Sequence, residues 1–346
     1  MQTPKVYIVI VNYNGWKDTL ECLESVLKSH YTNFQIIVID NSPNDVSWLK
    51  INDWATKGQD IKTHYPHLVY PEVSKPFDSF ISLSEKDLFK QTYLEKILFV
   101  KSIINKGFSA GNNIGLRYAL KCTDFDYVWL LNNDTVANSD ALSHLIKYMY
   151  EIGNQNIGIA GAKILEYDNP TIIQNAGGGK LNKLLAYSHL IGAGEKDSGQ
   201  FDAENVKLDF VAGTSMFVRK QFLIEVGLLD ENYFLYFEES DWAERGYDYG
   251  WGLGYCYQST VYHKGGASTG GKGYSSATQS STPFSDYYFQ RSKVIFTKKF
   301  FWYFLPVLYL SFALVIFNRI RRGQFDRLRL ILSILVNPNK PYPDNI

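Results

Sequence analysis

The sequence of 346 residues is poor in cysteine and has no excess of either charge. Its three cysteines, Cys22, Cys122 and Cys256, are far apart and form no C-x-x-C pair. This excludes a zinc knuckle and a disulfide framework and fits a reducing cytoplasm. The 35 basic and 35 acidic residues cancel, so nucleic acid is not an expected partner. The short N-terminus runs directly into an apolar segment, so we expect no secretory signal and a protein that begins inside the cell.

Apolar residues are abundant and their spacing indicates an α/β protein. Hydrophobic residues make up 45% of the chain and aromatic residues 16%, which is ample for a large core. The β-branched runs at 6–11 and 34–39 flank a helical pattern, which is typical of a β-α-β unit in a parallel sheet. Beyond residue 135 the pattern becomes mixed and antiparallel without a linker. We therefore predict one domain over 1–290, with halves at 1–135 and 136–290.

Several local elements can be predicted between these landmarks. Residues 42–96 have weak periodicity and are interpreted as an insertion with some helix. Residues 97–100 are predicted to form a strand, and the glycine-rich residues 107–115 a turn that opens a helix. In the second half we expect a hairpin at 176–180 and a strand at 210–218.

An acid follows the apolar run at 127–131, at the point where a strand is expected to end. This acid is Asp134, preceded by Asn132 and Asn133. A carboxylate there can hold a divalent cation that bridges a diphosphate, because hard cations prefer carboxylate and phosphate oxygens. The same three residues are also good turn formers, so a purely structural turn remains an alternative.

Polar residues also follow the earlier strands, where ligands of open α/β sheets bind. Asn12 and Tyr13 follow the first strand, and Asp40 follows the second. Asp40 can accept a hydrogen bond from a pyrimidine N–H or a ribose hydroxyl, or it can form an Asx-turn. Lys106 and Asn112 belong to the glycine-rich turn, whose backbone N–H groups can face an anion. That turn matches neither the G-x-G-x-x-G nor the Walker pattern, which counts against dehydrogenases and P-loop enzymes.

A second acidic segment lies among aromatic residues and contains Glu238, Glu239, Asp241 and Trp242. Desolvation raises a carboxyl pKa and suits the group to act as a base. Asp241 lies four residues before Arg245, so an ordinary ion pair is its simplest interpretation. Glu239 has no such local partner and is the stronger candidate base.

His263 follows a strand-like run and precedes the glycine-rich residues 265–273. Neutral imidazole is a metal ligand in many proteins, although most single histidines are not ligands. The glycine-rich stretch is predicted to be a mobile loop that can close over a substrate and exclude water.

Six short motifs occur in a fixed order along the chain: Val11-Asn12-Tyr13-Asn14-Gly15, Asp40-Asn41-Ser42, Asn105-Lys106-Gly107-Phe108, Leu131-Asn132-Asn133-Asp134, Phe237-Glu238-Glu239-Ser240-Asp241 and His263-Lys264-Gly265-Gly266. As an ordered set over about residues 6–292 they resemble family 2 glycosyltransferases, in particular the rhamnosyltransferase-like branch. The resemblance implies a GT-A fold with a Rossmann-like nucleotide-binding half and a mixed central sheet. It also implies a nucleoside-diphosphate sugar donor, Mn²⁺ or Mg²⁺ as cofactor, and inversion at the anomeric carbon.

The resemblance assigns roles to individual residues. Asp134 matches the last acid of a D-x-D-type metal motif, His263 matches a histidine that also touches the metal, and Glu239 falls on the catalytic base. Asn132 and Asn133 stand where many members have acids, which leaves the metal fewer carboxylate ligands. The implied donor-binding residues are Asn12, Tyr13, Asp40, Lys106, Asn112 and Asn133. Acceptor-side or structural positions are Glu238, Asp241 and Trp242.

The C-terminal part, residues 291–346, is predicted to be a helical region that associates with a membrane. Residues 300–317 are almost wholly apolar, and Pro306 is expected to kink them. Basic residues flank both ends: Lys298, Lys299, Arg319, Arg321 and Arg322. Charge on both sides favours docking in the plane of an anionic surface, while a single span and a buried helix remain alternatives.

Together these features predict an inverting glycosyltransferase of cell-surface polysaccharide synthesis, attached to the inner face of the cell membrane. Its expected donor is dTDP-L-rhamnose or a UDP-hexose, and its acceptor is a hydroxyl of a glycan or a lipid-linked molecule. The alternatives are a metal-dependent nucleotidyltransferase or nucleotide-sugar hydrolase, and a noncatalytic nucleotide-sugar binder. A processive synthase is disfavoured because the sequence has no Q-x-x-R-W motif.

Overall fold

The computed structural model describes residues 3–69, 79–203, 206–265, 282–340 and 342–343. The described strands are β1 (Val6–Asn12), β2 (Phe34–Asp40), β3 (Phe80–Ser84), β4 (Ile97–Lys101), β5 (Tyr127–Asn132), β6 (Thr135–Ala137), β7 (Ile157–Glu166), β8 (Ile173–Ala176), β9 (Gly178–Asn182), β10 (Tyr187–Leu190), β11 (Phe210–Val211), β12 (Ser215–Arg219) and β13 (Gly252–His263). The described helices are α1 (Trp16–Leu27), α2 (Val46–Lys57), α3 (Glu85–Leu88), α4 (Gly107–Cys122), α5 (Ala141–Tyr150), α6 (Lys220–Val226), α7 (Glu238–Asp248), α8 (Pro283–Phe300), α9 (Leu305–Arg321) and α10 (Phe325–Val336).

One large mixed sheet organises the molecule, in the order β3-β4-β2-β1-β5-β12-β7-β13-β6, with β8 paired to β7. The strands from β3 to β5 are parallel to their neighbours, whereas β12 is antiparallel to both β5 and β7. This confirms the prediction of a parallel first half and a mixed second half. The sheet continues across residue 135, and residue 290 lies inside α8. The division at these residues stays a prediction.

The sheet is covered on both faces because successive side chains of a strand point to opposite sides. In β1, Val6, Ile8 and Ile10 pack into a core shared with α1, α2 and α5. Tyr7 and Val9 pack into the opposite core with α4, α6 and α7. A strand buried on both faces reads as a continuous apolar run, which explains the runs seen in the sequence.

The glycine-rich segment lies inside α4 rather than in a turn before it, so that prediction was wrong. A Cβ on Gly111 would lie 2.9 Å from Val11, and one on Gly115 would lie 2.7 Å from Val9. Gly107 has a φ of +91°, and its Cβ would lie 2.2 Å from a carbonyl oxygen. The glycines therefore let the helix lie directly on β1.

Three other predicted elements differ from the structure. Residues 42–96 contain α2 and α3 as expected, but also β3, which forms an edge of the sheet. The hairpin predicted at 176–180 is a corner, because β8 and β9 belong to different sheets and β9 pairs with β10. The strand predicted at 210–218 is divided into β11 and β12.

The apolar segment at 300–317 is not one kinked helix. Helix α8 ends at Phe300, and a new helix, α9, starts at Leu305 with Pro306 in its first turn. Proline fits there because the first helical N–H groups have no partner within the helix. Helices α8, α9 and α10 share a core that includes Tyr288, Leu308 and Ile331.

Candidate active site

A cavity of about 280 Å³ opens at the carboxyl ends of β1 and β5. It brings together acidic and basic residues from three distant parts of the sequence: Asp134, the adjacent Glu238 and Glu239, and His263. Tyr13, Asn132 and Asn133 also line it. The arrangement follows from the fold, because parallel neighbouring strands end at the same edge of a sheet.

Asp134 and His263 form a buried pair beside the end of β5. The Nε2 atom of His263 lies 3.0 Å from Oδ1 of Asp134, and both side chains are almost fully buried. On the other side of the ring, Nδ1 donates to the amide oxygen of Gln174. Burial acts to raise the pKa of Asp134, but His263, a backbone hydrogen bond and Lys264 together outweigh it, so the pKa is lowered. This carboxyl group is therefore ionised at neutral pH.

The pair has the chemistry of a divalent cation site. Because Nδ1 keeps its proton and donates it in the hydrogen bond to Gln174, Nε2 is the ring nitrogen that can bind a cation. This is the usual support for a metal-binding histidine. Two neighbouring ligands of an octahedral Mg²⁺-type ion lie about 3 Å apart, as Nε2 and Oδ1 do here. Among the described residues no His, Cys, Asp or Glu adds a third ligand. Two protein ligands suit a cation that keeps waters and substrate phosphates in its remaining positions.

The acidic pair at the start of α7 is held by an unusual backbone. Tyr236 and Phe237 both have positive φ, 69° and 70°, a conformation that costs side-chain residues about 1 to 3 kcal/mol and clusters at functional sites. The hydroxyl of Tyr236 lies 2.6 Å from that of Ser285 in α8. The rings of Tyr236 and Phe237 pack against phenylalanine rings of the same helix. Helix α8 thus fixes the direction in which Glu238 and Glu239 enter the cavity.

Both acids of this pair favour the protonated form. Burial raises the pKa of Glu239 to about 7, although backbone groups of Glu239 and Gly213 act in the opposite direction. Burial and the neighbouring charge of Glu239 raise the pKa of Glu238 well above its usual range. One carboxylate oxygen of each is buried without a partner among the described residues. A carboxyl group with a pKa near 7 is matched to proton transfer at physiological pH.

Asn12 and Asp40, both predicted to bind the donor, lie beside the cavity and do not line it. Each is fully buried. Asn12 donates to Asp40 and accepts from Gly15 and Thr19. Asp40 also pairs with Lys101 at 3.0 Å. The hydrogen bond between their side chains joins the ends of β1 and β2.

The other predicted residues divide into two groups. Tyr13 and Asn133 line the cavity, and the amide of Asn133 donates to Thr19 at 3.0 Å. Lys106 is exposed beside a second cavity, and the Asn112 amide donates to a backbone carbonyl of its own helix. The first N–H groups of α4 are also used, at Gly107 by Asn105 and at Phe108 by Phe234. These two N–H groups are therefore not free to hold an anion, as the predicted glycine turn would require.

Asp241 and Trp242 lie in the core behind the acidic pair. Asp241 is fully buried and pairs with Arg245 at 2.6 Å, as the four-residue spacing predicts, and with Lys299 at 2.5 Å. The indole of Trp242 donates to the carbonyl of Gly227. The predicted glycine-rich loop falls mostly on residues 266–273, which lie outside the described residues.

Two cavity residues, Gln174 and Asn175, were missed at the sequence level. They lie side by side in β8, and each is 1% exposed. Two consecutive amides inside an otherwise apolar strand are the signal that could have identified them, because a buried polar side chain needs a partner.

The comparisons with known proteins bear on the fold. The model of the glycosyl transferase family 2 matches residues 7–68, which contain β1, α1 and β2. A hexosyltransferase of low-salt glycan biosynthesis, Agl10 of Haloferax volcanii, is 25% identical over 172 residues, which is 49% of this chain and 52% of that protein. The crystal structure of GalNAc-T7 with UDP, GalNAc and Mn²⁺ superposes with a TM-score of 0.59 at 14% identity, over 90% of this chain and 50% of that one.

The fold is GT-A-like. The predicted fold class is confirmed, and the predicted resemblance to family 2 glycosyltransferases is confirmed over the first β-α-β unit. The chain spans about half the length of the relatives it matches.

Proposed function

We propose that this GT-A-like protein is a metal-dependent inverting glycosyltransferase. It transfers a sugar from a nucleoside-diphosphate sugar, dTDP-L-rhamnose or a UDP-hexose, to a hydroxyl of a glycan or lipid-linked acceptor in cell-surface polysaccharide synthesis. The similarity to the Haloferax volcanii hexosyltransferase supports transfer of a hexose. The motif resemblance supports the rhamnosyltransferase-like branch.

One observation carries the proposal. A single cavity holds a pair suited to a divalent cation, Asp134 with His263, and a buried carboxyl group with a pKa near 7, Glu239. Transfer from a nucleotide sugar needs both parts, because negative charge develops on the departing diphosphate while the attacking hydroxyl loses a proton. The raised pKa also favours an enzyme over a noncatalytic binder, since holding a nucleotide requires no base.

The chain's own residues can carry out the transfer in one displacement. Asp134 and His263 would hold Mn²⁺ or Mg²⁺, which neutralises charge on the diphosphate when bound. The Glu239 carboxylate accepts the proton of the acceptor hydroxyl, whose oxygen forms the new bond to the anomeric carbon. The bond from that carbon to the phosphate oxygen breaks, and its electron pair leaves with the diphosphate. Attack from the opposite face inverts the configuration, and no enzyme nucleophile is needed.

A panel of nucleotide sugars tests this proposal. We expect one donor, in the presence of Mn²⁺, to raise the thermal midpoint selectively, because a ligand that binds only the folded chain stabilises it. Incubation of that donor without acceptor separates transfer from hydrolysis: a hydrolase would release sugar at its full rate. Binding of a donor that is independent of metal, and without turnover on any acceptor, would contradict the proposal.

We also propose that the protein works in the cytoplasm and docks on the inner face of the membrane through α9. Residues Trp302–Arg321 are long and apolar enough to cross a membrane, and only 11% of their most apolar window is buried. Leu310, Leu314 and Phe317 form an exposed stripe, each more than 60% exposed. Arg319 at the end of α9 pairs with Asp286 of α8, within the folded domain. This tie favours a helix that lies along the surface over one that crosses it.

A further inference from the structure

Asn175 is a buried amide in the candidate active site without a hydrogen-bond partner in the part of the chain that the structure describes. It is 1% exposed and lines the same cavity as Asp134 and Glu239. Neither its oxygen nor its nitrogen has a hydrogen-bond partner among the described residues. Nearly all buried side-chain amides are hydrogen-bonded, because an unsatisfied one loses its bonds to water without replacement. An amide left unsatisfied in this way is expected to lower the stability of the free protein.

A β-bulge places this amide in the cavity. In the pairing of β8 with β7, Asn175 lies opposite Ile164 and Ile173 lies opposite Leu165, so that Gln174 is an extra residue between them. A bulge turns neighbouring side chains that would otherwise point to opposite faces, and bulges are frequent beside active sites. Gln174 uses this position to hold His263. Asn175 faces the same cavity, and no described residue bonds to its amide.

The chemistry of the amide limits what it can bind. Its oxygen only accepts hydrogen bonds and its nitrogen only donates them. A phosphate would satisfy only the nitrogen, and a cation would satisfy only the oxygen. A pair of neighbouring hydroxyls satisfies both, since each hydroxyl can donate and accept. Sugar rings carry such pairs.

We propose that Asn175 is a specificity-determining residue that binds two hydroxyls of the sugar ring held in this cavity, accepting from one and donating to the other. This inference rests on the proposed function. The ring belongs either to the donor or to the acceptor, and the two share the same chemistry. A site built to bind a hydroxyl discriminates strongly against a sugar that lacks it, because its own polar atoms are then left unpaired.

The variant Asn175→Leu, which has a similar volume, separates this role from a structural one. We expect kcat/KM to fall by about 10- to 100-fold, the loss of two neutral hydrogen bonds. We expect the thermal midpoint of the free protein to rise by about 1 to 3 °C, because an unsatisfied amide is removed. A residue that only supports the fold would lower that midpoint.

Asn113→Leu is the matched control. Asn113 is also 1% exposed, but its amide donates to Leu229 and Glu231 and its oxygen accepts from Leu229. It does not line the cavity. The same substitution there should lower the thermal midpoint, because it leaves buried partners unpaired.

Binding measurements identify the sugar. Calorimetry with Mn²⁺ compares UDP-glucose, GDP-mannose and dTDP-L-rhamnose with UDP, GDP and dTDP. If Asn175 binds the donor ring, Asn175→Leu lowers the affinity for the nucleotide sugar and leaves the affinity for the nucleoside diphosphate unchanged. If it binds the acceptor ring, donor affinity is unchanged and the acceptor KM rises. Deoxy analogues of the affected sugar should lose activity with wild type but not with the variant.

Failure of the proposed function and failure of the proposed role of Asn175 give different results. If wild type binds none of these nucleotide sugars, the proposed function fails and this inference fails with it. If wild type binds and transfers while Asn175→Leu keeps the same donor affinity, acceptor KM and turnover, only the role of Asn175 is overturned. A thermal midpoint that falls in Asn175→Leu as it does in Asn113→Leu would also overturn it.

Discussion

Replacing Glu239 with glutamine should remove catalysis and stabilise the protein, and the stabilisation should depend on pH. The pKa of Glu239 is raised by burial from 4.5 to about 7. Below pH 4.5 the group is protonated in both the folded and the unfolded chain and contributes nothing. Between pH 4.5 and 7 the unfolded chain releases the proton and the folded chain keeps it, so unfolding becomes easier as the pH rises. Above pH 7 the free energy of unfolding is lowered by the full amount.

The magnitude follows from the two pKa values. At 1.36 kcal/mol for each pKa unit, the difference amounts to about 3 kcal/mol. The glutamine in Glu239→Gln does not ionise, so this destabilisation is absent from the variant. The free energy of unfolding of the variant should exceed that of wild type by a margin that grows by up to about 3 kcal/mol between pH 4.5 and 8. Urea unfolding at fixed pH values measures this margin. Glu225→Gln is the control, because Glu225 is an exposed residue of α6.

The same variant tests the base. Loss of a general base should lower kcat by about 10²- to 10⁴-fold while donor affinity is kept. For wild type, kcat/KM should rise with pH and level off above about pH 7, as the carboxyl group of the free enzyme ionises. Wild-type turnover in Glu239→Gln would refute the assignment of the base. A stability margin that does not change with pH would refute the burial argument.

Three further predictions concern the metal site, the fold and the membrane surface. Gln174→Leu should weaken Mn²⁺ binding by about 10- to 100-fold in calorimetry, because the ring of His263, the proposed ligand, loses its hydrogen bond. Unchanged affinity would exclude that role for Gln174. Gly107→Ala should lower the free energy of unfolding in urea by more than about 1 kcal/mol, because Gly107 has a positive φ and the new Cβ would lie 2.2 Å from a carbonyl oxygen. Gly153→Ala should change it little, because the space around Gly153 is open. Leu310→Ser should reduce co-sedimentation with anionic vesicles about tenfold, while Leu94→Ser, at a more exposed leucine outside α9, should not reduce it. Equal binding of both variants would argue against docking through α9.

Periodicity predicted the parallel half of the fold well because its strands are buried on both faces. The run at 6–11 belongs to β1, whose residues enter two different cores, and no solvent-exposed face interrupts the pattern. The second half was harder to predict. The sequence from 210 to 218 reads as one strand, but β11 pairs in the small sheet and β12 in the large one. Residues 212–214 turn between them and line the cavity. That change of sheet is set by tertiary packing, which local propensity does not contain.

Asn12 and Asp40 make contacts that their motifs do not predict, while their donor-binding role stays a prediction. They are aligned neighbours in the pairing of β1 with β2, so their side chains lie next to each other and bond at 2.8 Å. Asn12 makes bonds through both amide atoms, and Asp40 is also paired with Lys101. The register that brings these residues together is invisible in a linear sequence. Substitution of Asp40 would remove one partner of Asn12 and the buried ionic partner of Lys101, so we expect it to disturb the ends of both strands. Asn175, which no motif identified, has an amide whose two polar atoms are both unpaired within the described ranges.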